Sequence, residues 1–395
     1  MRYRIQTERI DLFDANIIIT IMVKLEKEVE FEELHDAFYR ACGLHEILSS
    51  KVVIEPSGKA FYTDNDDPQN SILKTDLSLN ELINENESKR FRIEQGEYIR
   101  AFDSKDGLVF MMHHLGGDGK SLLYFTETFM KCLSGTECQA VPFHNLLLDD
   151  LPKESRLPFH YKILTAVWNQ KWKKSKRVFD FSDMDKAYCS FWKEHKTKTQ
   201  IIRYEKDKLA ECLKEAKEIG ISLTSYLITK MLQKDNKISD VGLAVDARFD
   251  KNRSMGNQVT GISVSYSYDD EKTFEDNAKA VHKLMRERLT HDRYRYFALQ
   301  FMGKLNPTLK DAVNLERAGY YNSEFTSKVA GYLGYKDRIR DLSITNLTRA
   351  DIELDYGENR ISEIVFVPPI VAYAKNVIGI VTAGDVMNVV RHTYE

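Results

Sequence analysis

The sequence contains few cysteines. Only 5 of its 395 residues are Cys, the number is odd, and no two of them form a CxxC pair. These features argue against a disulfide framework and against a zinc site, and they favour a reducing compartment. The five residues are Cys42, Cys132, Cys138, Cys189 and Cys212.

Long hydrophobic runs are also missing. The first apolar run, Ala15 to Val23, follows a charged start and lacks a small-residue cleavage site, and Pro368 and Pro369 interrupt the run from Ile364 to Ala374. A membrane span needs about 20 consecutive apolar residues, and a secretory signal needs a cleavage site. We therefore expect no secretory signal and no membrane span, and we predict a cytoplasmic protein.

An excess of charge of one sign is absent as well. Lys and Arg number 57 against 60 Asp and Glu, for a net charge of -3. A general nucleic-acid-binding protein would be more basic, so we predict no nucleic-acid partner. The composition, 43% hydrophobic and 30% charged, is that of a globular protein and excludes a disordered, collagenous or coiled-coil chain.

The length is typical of two units of similar size. Residues 1–150 alternate strand patterns such as IIITIMVKL with helix patterns such as FEELHDAFYRACGLH, and the alternation restarts after residue 198. We predict an α/β fold with two similar layered halves, residues 1–150 and 199–395, joined by a crossover segment, 151–198.

The crossover segment is basic. Between residues 151 and 200 there are twelve Lys or Arg against five Asp or Glu, and all three tryptophans, Trp168, Trp172 and Trp192, lie there. A solvated, partly helical connector whose tryptophans pack inward accounts for this composition. Two alternatives are a surface that contacts the phosphate groups of a ligand or partner, and a patch that lies on a membrane surface.

One motif is specific enough to suggest chemistry. The segment MMHHLGGDGKS contains HHxxxDG, formed by His113, His114, Asp118 and Gly119. A chance match in a chain of this length has a probability of about one in a thousand. The preceding strand pattern presents the two histidines to opposite faces, so that one can enter a cleft while the other packs.

An imidazole suits a general base at neutral pH, because its ordinary pKa is near 6.5. The alternative for His114 is a satisfied histidine in the core. Asp118 can cap the following helix or form a salt bridge. A metal site is not expected, because adjacent residues of a strand do not readily face one ion.

The motif resembles the HHxxxDG signature of the coenzyme A-dependent, chloramphenicol-acetyltransferase-like acyltransferase superfamily. This superfamily includes condensation domains, alcohol acyltransferases and mycobacterial polyketide-associated acyltransferases. Further resemblance covers most of the chain, in the segments HEILSSKVVIEPSGKAFY, TKTQIIRYEKDKLAECLKEAKEIGISLTSYLITKML, VDARFDKNRSMGNQVTGISV and SITNL. The DFGWG motif of the plant branch is absent, and SITNL replaces the superfamily's SNLG.

The resemblance implies two acyltransferase-like halves that form a V around a central channel. It assigns His114 as the general base at the channel centre and His113 as a packed, supporting residue. Asp118 is expected to be structural and to pair with Arg248 across the halves. Gly119 is expected to keep the path of the donor open.

The resemblance also implies direct acyl transfer from acyl-CoA to a hydroxyl or amine, with no permanently bound cofactor. Asn257, in the Gly-Asn loop, is a supporting residue. Candidate donors to the oxyanion are Ser343, Thr345 and Asn346. One alternative is a freestanding condensation-type enzyme whose donor is a phosphopantetheinyl thioester on an acyl carrier protein. Another is a non-catalytic member that binds a thioester or a partner.

Overall fold

The computed structural model describes residues 2–235, 237–249, 252–336, 339–372 and 374–395. Within these ranges the chain forms fifteen β-strands and twelve α-helices. The strands are β1 (Arg2–Arg4), β2 (Ile18–Leu25), β3 (Ser50–Ile54), β4 (Ala60–Asp64), β5 (Ser71–Lys74), β6 (Ile99–Ser104), β7 (Gly107–His113), β8 (Thr197–Tyr204), β9 (Asp240–Asp246), β10 (Val259–Ser265), β11 (Leu342–Arg349), β12 (Asp355–Tyr356), β13 (Asn359–Val367), β14 (Asn376–Ala383) and β15 (Val386–Tyr394).

The helices surround and connect the sheets, and short 3-10 turns such as Arg9–Asp11 link some elements. The α-helices are α1 (Phe31–Leu44), α2 (Leu79–Glu87), α3 (Gly119–Leu133), α4 (Phe159–Lys173), α5 (Phe181–Glu194), α6 (Lys206–Ile219), α7 (Leu223–Lys234), α8 (Phe274–Thr290), α9 (Asp292–Arg295), α10 (Phe297–Lys304), α11 (Pro307–Arg317) and α12 (Glu324–Tyr332).

Two six-stranded sheets organise the described part of the chain. The first has the order β12-β13-β2-β7-β6-β5, and the second has the order β10-β9-β11-β14-β15-β8. A smaller sheet, β1-β4-β3, lies beside them. Most neighbouring strands are antiparallel, but β5 is parallel to β6 and β11 is parallel to both β9 and β14. The predicted α/β class with two layered halves is confirmed.

One strand crosses between the halves. β13 comes late in the chain, yet it pairs antiparallel with β2 in the first sheet, with Ile364 opposite Val23. The following strand, β14, returns to the second sheet. The exchange ties the two sheets together. The division into residues 1–150, 151–198 and 199–395 stays a prediction.

The packing of β7 fixes the start of α3. Phe110, in the middle of β7, meets the rings of Phe125 and Phe129 on α3 edge-on, at centroid distances of 5.4 and 5.2 Å. All three side chains are fully buried. Because burial of such aromatic side chains dominates core energetics, this contact holds the loop between β7 and α3 in one position.

The crossover segment packs its tryptophans inward. The indole N–H of Trp172 donates to the Thr308 hydroxyl at 2.7 Å, and that of Trp192 donates to the Ala15 carbonyl at 3.0 Å. The outer face of α4 exposes Phe159, Ile163 and Val167.

None of the helices in the described ranges combines the length and the hydrophobicity that crossing a bilayer requires.

Candidate active site

The junction of β7 and α3 presents the HHxxxDG residues. His113 ends β7, two glycines follow in a turn, and Asp118 is the N-cap of α3, where its side chain accepts a hydrogen bond from the Ser121 N–H at 2.9 Å. A Cβ at Gly117 would lie 2.4 Å from the Ser121 Cβ, so this tight turn needs glycine. The local sequence thus places a histidine pair and a carboxylate at one helix start.

His113 lies on the packed side of the strand, as the alternation predicts. Its side chain is buried, and its Nδ1 accepts a hydrogen bond from the Leu115 N–H at 3.1 Å. Burial, together with the neighbouring His114, Arg90 and Arg100, lowers the pKa of His113 to about 3. The ring is therefore neutral at physiological pH and stabilises the turn.

His114 faces the other way and lines a cavity of about 450 Å³. Its backbone N–H is anchored to the Ile17 carbonyl at 3.1 Å. Nδ1 is buried without a hydrogen-bond partner among the described residues, which leaves Nε2 as the nitrogen that can reach the cavity. Burial lowers the pKa of His114, although the nearby Asp118 carboxylate opposes the shift. A neutral imidazole with a free lone pair can accept a proton.

The cavity lies between the halves. Its wall includes His114 from the β7–α3 turn, Asn257 before β10, and apolar side chains of α10 such as Phe297 and Phe301. Its size is that of an ordinary small-molecule site. Within the described ranges, no group of three or more His, Cys, Asp or Glu side chains is arranged to hold a metal ion.

The structure brings Asp118 and Arg248 together across the halves. The guanidinium donates to both carboxylate oxygens, at 3.0 and 3.1 Å, and both side chains are almost completely buried. The Gln258 N–H donates to the same carboxylate at 2.9 Å. Burial alone would raise the pKa of Asp118, but the charge and hydrogen bonds of Arg248 outweigh burial and hold the pKa below its ordinary value.

Gly119 does not border open space. A Cβ at this position would lie 3.0 Å from a methyl carbon of Leu347 and 3.1 Å from the ring of Phe366. The resemblance implied that this glycine keeps a donor path open. The structure shows a close approach between α3 and side chains of β11 and β13, and the role of Gly119 in a donor path stays a prediction.

The three candidate oxyanion donors are separated. Ser343 lines the cavity with His114. Thr345 and Asn346 are not among the described residues of the cavity wall, and the Asn346 amide donates to the Thr224 hydroxyl at 2.9 Å. Asn257 does line the cavity, and its amide donates to the Asp11 carboxylate at 2.6 Å.

An acidic part of the wall was not predicted from the sequence. Glu8, Asp11 and Asp14 all line the cavity that contains His114. The signal that could have found them is their spacing of three residues in TERIDLFDANI, immediately before a buried strand. Charged residues in such a position are usually solvated, and only the packing of the other half over this turn encloses them.

No family model matches the sequence, and no curated protein matches it. The first condensation domain of the CDA synthetase is similar in structure, with a TM-score of 0.65 at 12% identity over 98% of this chain and 87% of that one.

Two further solved structures extend the comparison. A starter condensation domain of rhizomide synthetase, in complex with C8-CoA and Leu-SNAC, has a TM-score of 0.62 at 12% identity over 99% of this chain and 88% of that one. Polyketide synthase associated protein 5 from Mycobacterium tuberculosis has a TM-score of 0.59 at 12% identity, over 99% and 92%.

This chain has the condensation-domain fold. The fold that the resemblance implied is thereby confirmed. At these identities the similarity concerns the fold alone, and the chemistry has to be argued from the site itself.

Proposed function

We propose that this protein transfers an acyl group from a thioester, acyl-CoA, to a hydroxyl or amine acceptor, with His114 as the general base. The observation that supports this most strongly is a neutral imidazole on the wall of a cavity between two halves. A fold that solved condensation domains share is compatible with acyl transfer.

The reaction needs no covalent enzyme intermediate. Nε2 of His114 removes the proton from the acceptor as its oxygen or nitrogen attacks the thioester carbonyl. The new C–O or C–N bond forms, the C–S bond breaks, and the departing thiolate takes the proton back from His114. The charge that develops on the carbonyl oxygen requires a hydrogen-bond donor.

Ser343 is the proposed source of that donor. Its side chain lines the cavity and is 6% exposed, and none of its described neighbours forms a hydrogen bond with its hydroxyl. The Asp118–Arg248 pair is proposed to act as a positioning device. It fixes the start of α3 and thereby the turn that carries His114.

The donor has two candidate forms. The complex of a rhizomide synthetase domain with C8-CoA supports free acyl-CoA as the donor to test first. A carrier-protein thioester is the second candidate. The exposed lysines of the crossover segment are compatible with either donor, because both present phosphate groups. Parallel assays with octanoyl-CoA and with an octanoyl carrier protein separate the two.

The test is the substitution His114→Ala. We expect thiol release from acyl-CoA in the presence of a panel of alcohols and amines to fall by about 10²–10⁴-fold. His35→Ala, which removes an exposed histidine on α1, is the matched control and should keep its activity. Unchanged turnover in His114→Ala would remove this residue as the base. Binding of coenzyme A without transfer to any acceptor would favour the non-catalytic alternative.

A further inference from the structure

The acidic wall of the cavity contains more negative charge than its surroundings neutralise. Asp14 pairs with Arg317 at 2.8 Å, and Arg9 pairs with Asp311 through two hydrogen bonds. Lys310 donates to a backbone carbonyl at 3.1 Å. Arg9 and Arg317 are thus each paired with one carboxylate, and the charge of Lys310 offsets only part of the charge of the two remaining carboxylates.

Glu8 and Asp11 are those remaining carboxylates. Asp11 accepts a hydrogen bond from the Asn257 amide at 2.6 Å, and Glu8 accepts one from the Thr7 hydroxyl at 2.7 Å. Among the described residues, no Lys, Arg or His nitrogen forms an ion pair with either of them within 4.0 Å. Both nevertheless line the cavity.

The electrostatic consequence is a raised pKa of both carboxyl groups. Burial, with the neighbouring charges of Asp14 and Glu8, raises the pKa of Asp11 to about 8. Burial also raises the pKa of Glu8. Burial disfavours the ionised forms of both groups although the charge of Lys310 favours them, and a cation placed in the cavity would shift the balance toward ionisation.

Two other polar groups of the same cavity lack partners. Ser343 is 6% exposed, and its hydroxyl forms no hydrogen bond with any described residue. The amide oxygen of Asn257 is buried and has no hydrogen-bond partner in the described structure, although its amide nitrogen is bound to Asp11. Buried polar groups are normally satisfied, so unpaired groups on a cavity wall indicate a polar ligand.

We propose that the acceptor is a cationic molecule, an amino alcohol or a diamine, whose ammonium group is bound by Glu8 and Asp11. This inference rests on the proposed function. The ammonium cannot itself be the nucleophile, because a protonated amine has no lone pair. A second group of the acceptor, a hydroxyl or a neutral amine, is therefore presented to His114.

The ammonium group stays unchanged during transfer. The second group loses its proton to His114 and forms the new bond to the acyl carbon, and the thiol leaves with that proton. The apolar wall around Phe297 and Phe301 contacts the methylene chain between the two groups.

The first experiment compares acceptors that differ only in charge. With octanoyl-CoA as donor, kcat/KM for aminobutanol should exceed that for pentanol by about tenfold or more, the effect of one charge-assisted contact. Asp11→Asn and Glu8→Gln should each reduce this preference to about twofold or less.

A matched control is available in the same cavity. Asp240 also lines it, but this carboxylate is already bound by Arg340 at 3.5 Å and by the Ser263 hydroxyl at 2.6 Å. Asp240→Asn should therefore retain the preference for the cationic acceptor. Equal use of aminobutanol and pentanol by the active wild-type protein would overturn the inference while leaving acyl transfer intact.

A second experiment does not depend on turnover. Putrescine binding to the full-length His114→Ala protein is measured by calorimetry and compared with binding to the His114→Ala, Asp11→Asn double variant. We expect binding to the first protein and at least tenfold weaker binding to the second. If putrescine binds as expected but the wild type transfers no acyl group, the proposed function is refuted and the cation site stands. If putrescine does not bind, the proposal of a cationic acceptor is refuted.

Discussion

Two carboxylates at the interface of the halves, the buried Asp118 and the partly buried Asp11, have opposite environments. Asp118 receives two hydrogen bonds from Arg248 and one each from the backbone N–H groups of Ser121 and Gln258. Asp11 accepts one amide hydrogen bond and forms no ion pair within 4.0 Å among the described residues, and the charge of Lys310 offsets only part of the effect of burial. A compensated carboxylate fixes the architecture, whereas an uncompensated one is available to a ligand.

The difference reverses the pH dependence that each group imparts to stability. The pKa of Asp118 is lowered by its partners, so its contribution to folding is present above pH 4 or so and is lost as the pH falls. The pKa of Asp11 is raised to about 8 by burial and by Asp14 and Glu8. Its ionisation therefore destabilises the folded protein as the pH rises toward 8.

The largest expected effect comes from breaking the compensated pair. Asp118→Ala leaves the Arg248 guanidinium buried without its main partner, and we expect the free energy of unfolding to fall by about 3–5 kcal/mol. Asp246→Ala is the control, because Asp246 contacts the same guanidinium at 3.1 Å but is 31% exposed. It should cost about 1 kcal/mol or less. Urea denaturation measures the free energy of unfolding of both variants. Equal losses of stability in the two would contradict the difference between the buried and the exposed partner of Arg248.

A smaller effect is expected from the uncompensated carboxylate. Between pH 5 and pH 8 the carboxyl group of Asp11 binds more protons in the folded protein than in the unfolded chain, because its raised pKa exceeds its unfolded value. Its contribution to stability should therefore fall over this range, and Asp11→Asn should remove about 1–3 kcal/mol of that loss relative to the wild type. Denaturation curves at several pH values test this. If the stabilities of the wild type and of Asp11→Asn change with pH in the same way, the pKa of Asp11 is not raised in solution.

The smallest expected effect concerns packing beside Asp118. Gly119→Ala places a methyl group 3.0 Å from Leu347, and we expect a loss of about 1 kcal/mol. Gly43→Ala in α1 is the matched control, since a Cβ there meets nothing within 4 Å. It should stabilise the helix by about 0.5–1 kcal/mol. Thermal unfolding compares the two, and a stabilising Gly119→Ala would indicate open space at this position.

The local part of the site was predictable from the sequence. Alternation along Gly107–His113 separates His113 from His114, and the structure places one in the packed wall and the other at the cavity. The Asp118–Arg248 pair was expected only through the resemblance to a superfamily, because nothing local relates residues 130 positions apart.

Long-range features were not predictable. The entry of β13 into the first sheet depends on pairing with β2, more than 300 residues earlier in the chain, and neither strand pattern specifies its partner. Glu8 and Asp11 look like solvated surface charges until the second half covers them. Ser343, Thr345 and Asn346 all lie on β11. Of these three, only Ser343 is among the described residues that line the cavity, because the position of the strand against the cavity decides which side chains reach it.

The most direct test of His114 as the base is the pH dependence of kcat/KM with a neutral alcohol as acceptor. Burial lowers the pKa of His114, so the activity should rise with one ionisation below pH 6.5 and stay level up to pH 8. His114→Gln should abolish this ionisation along with most of the rate. A profile whose controlling pKa lies above 6.5, or one that persists in His114→Gln, would contradict the assignment.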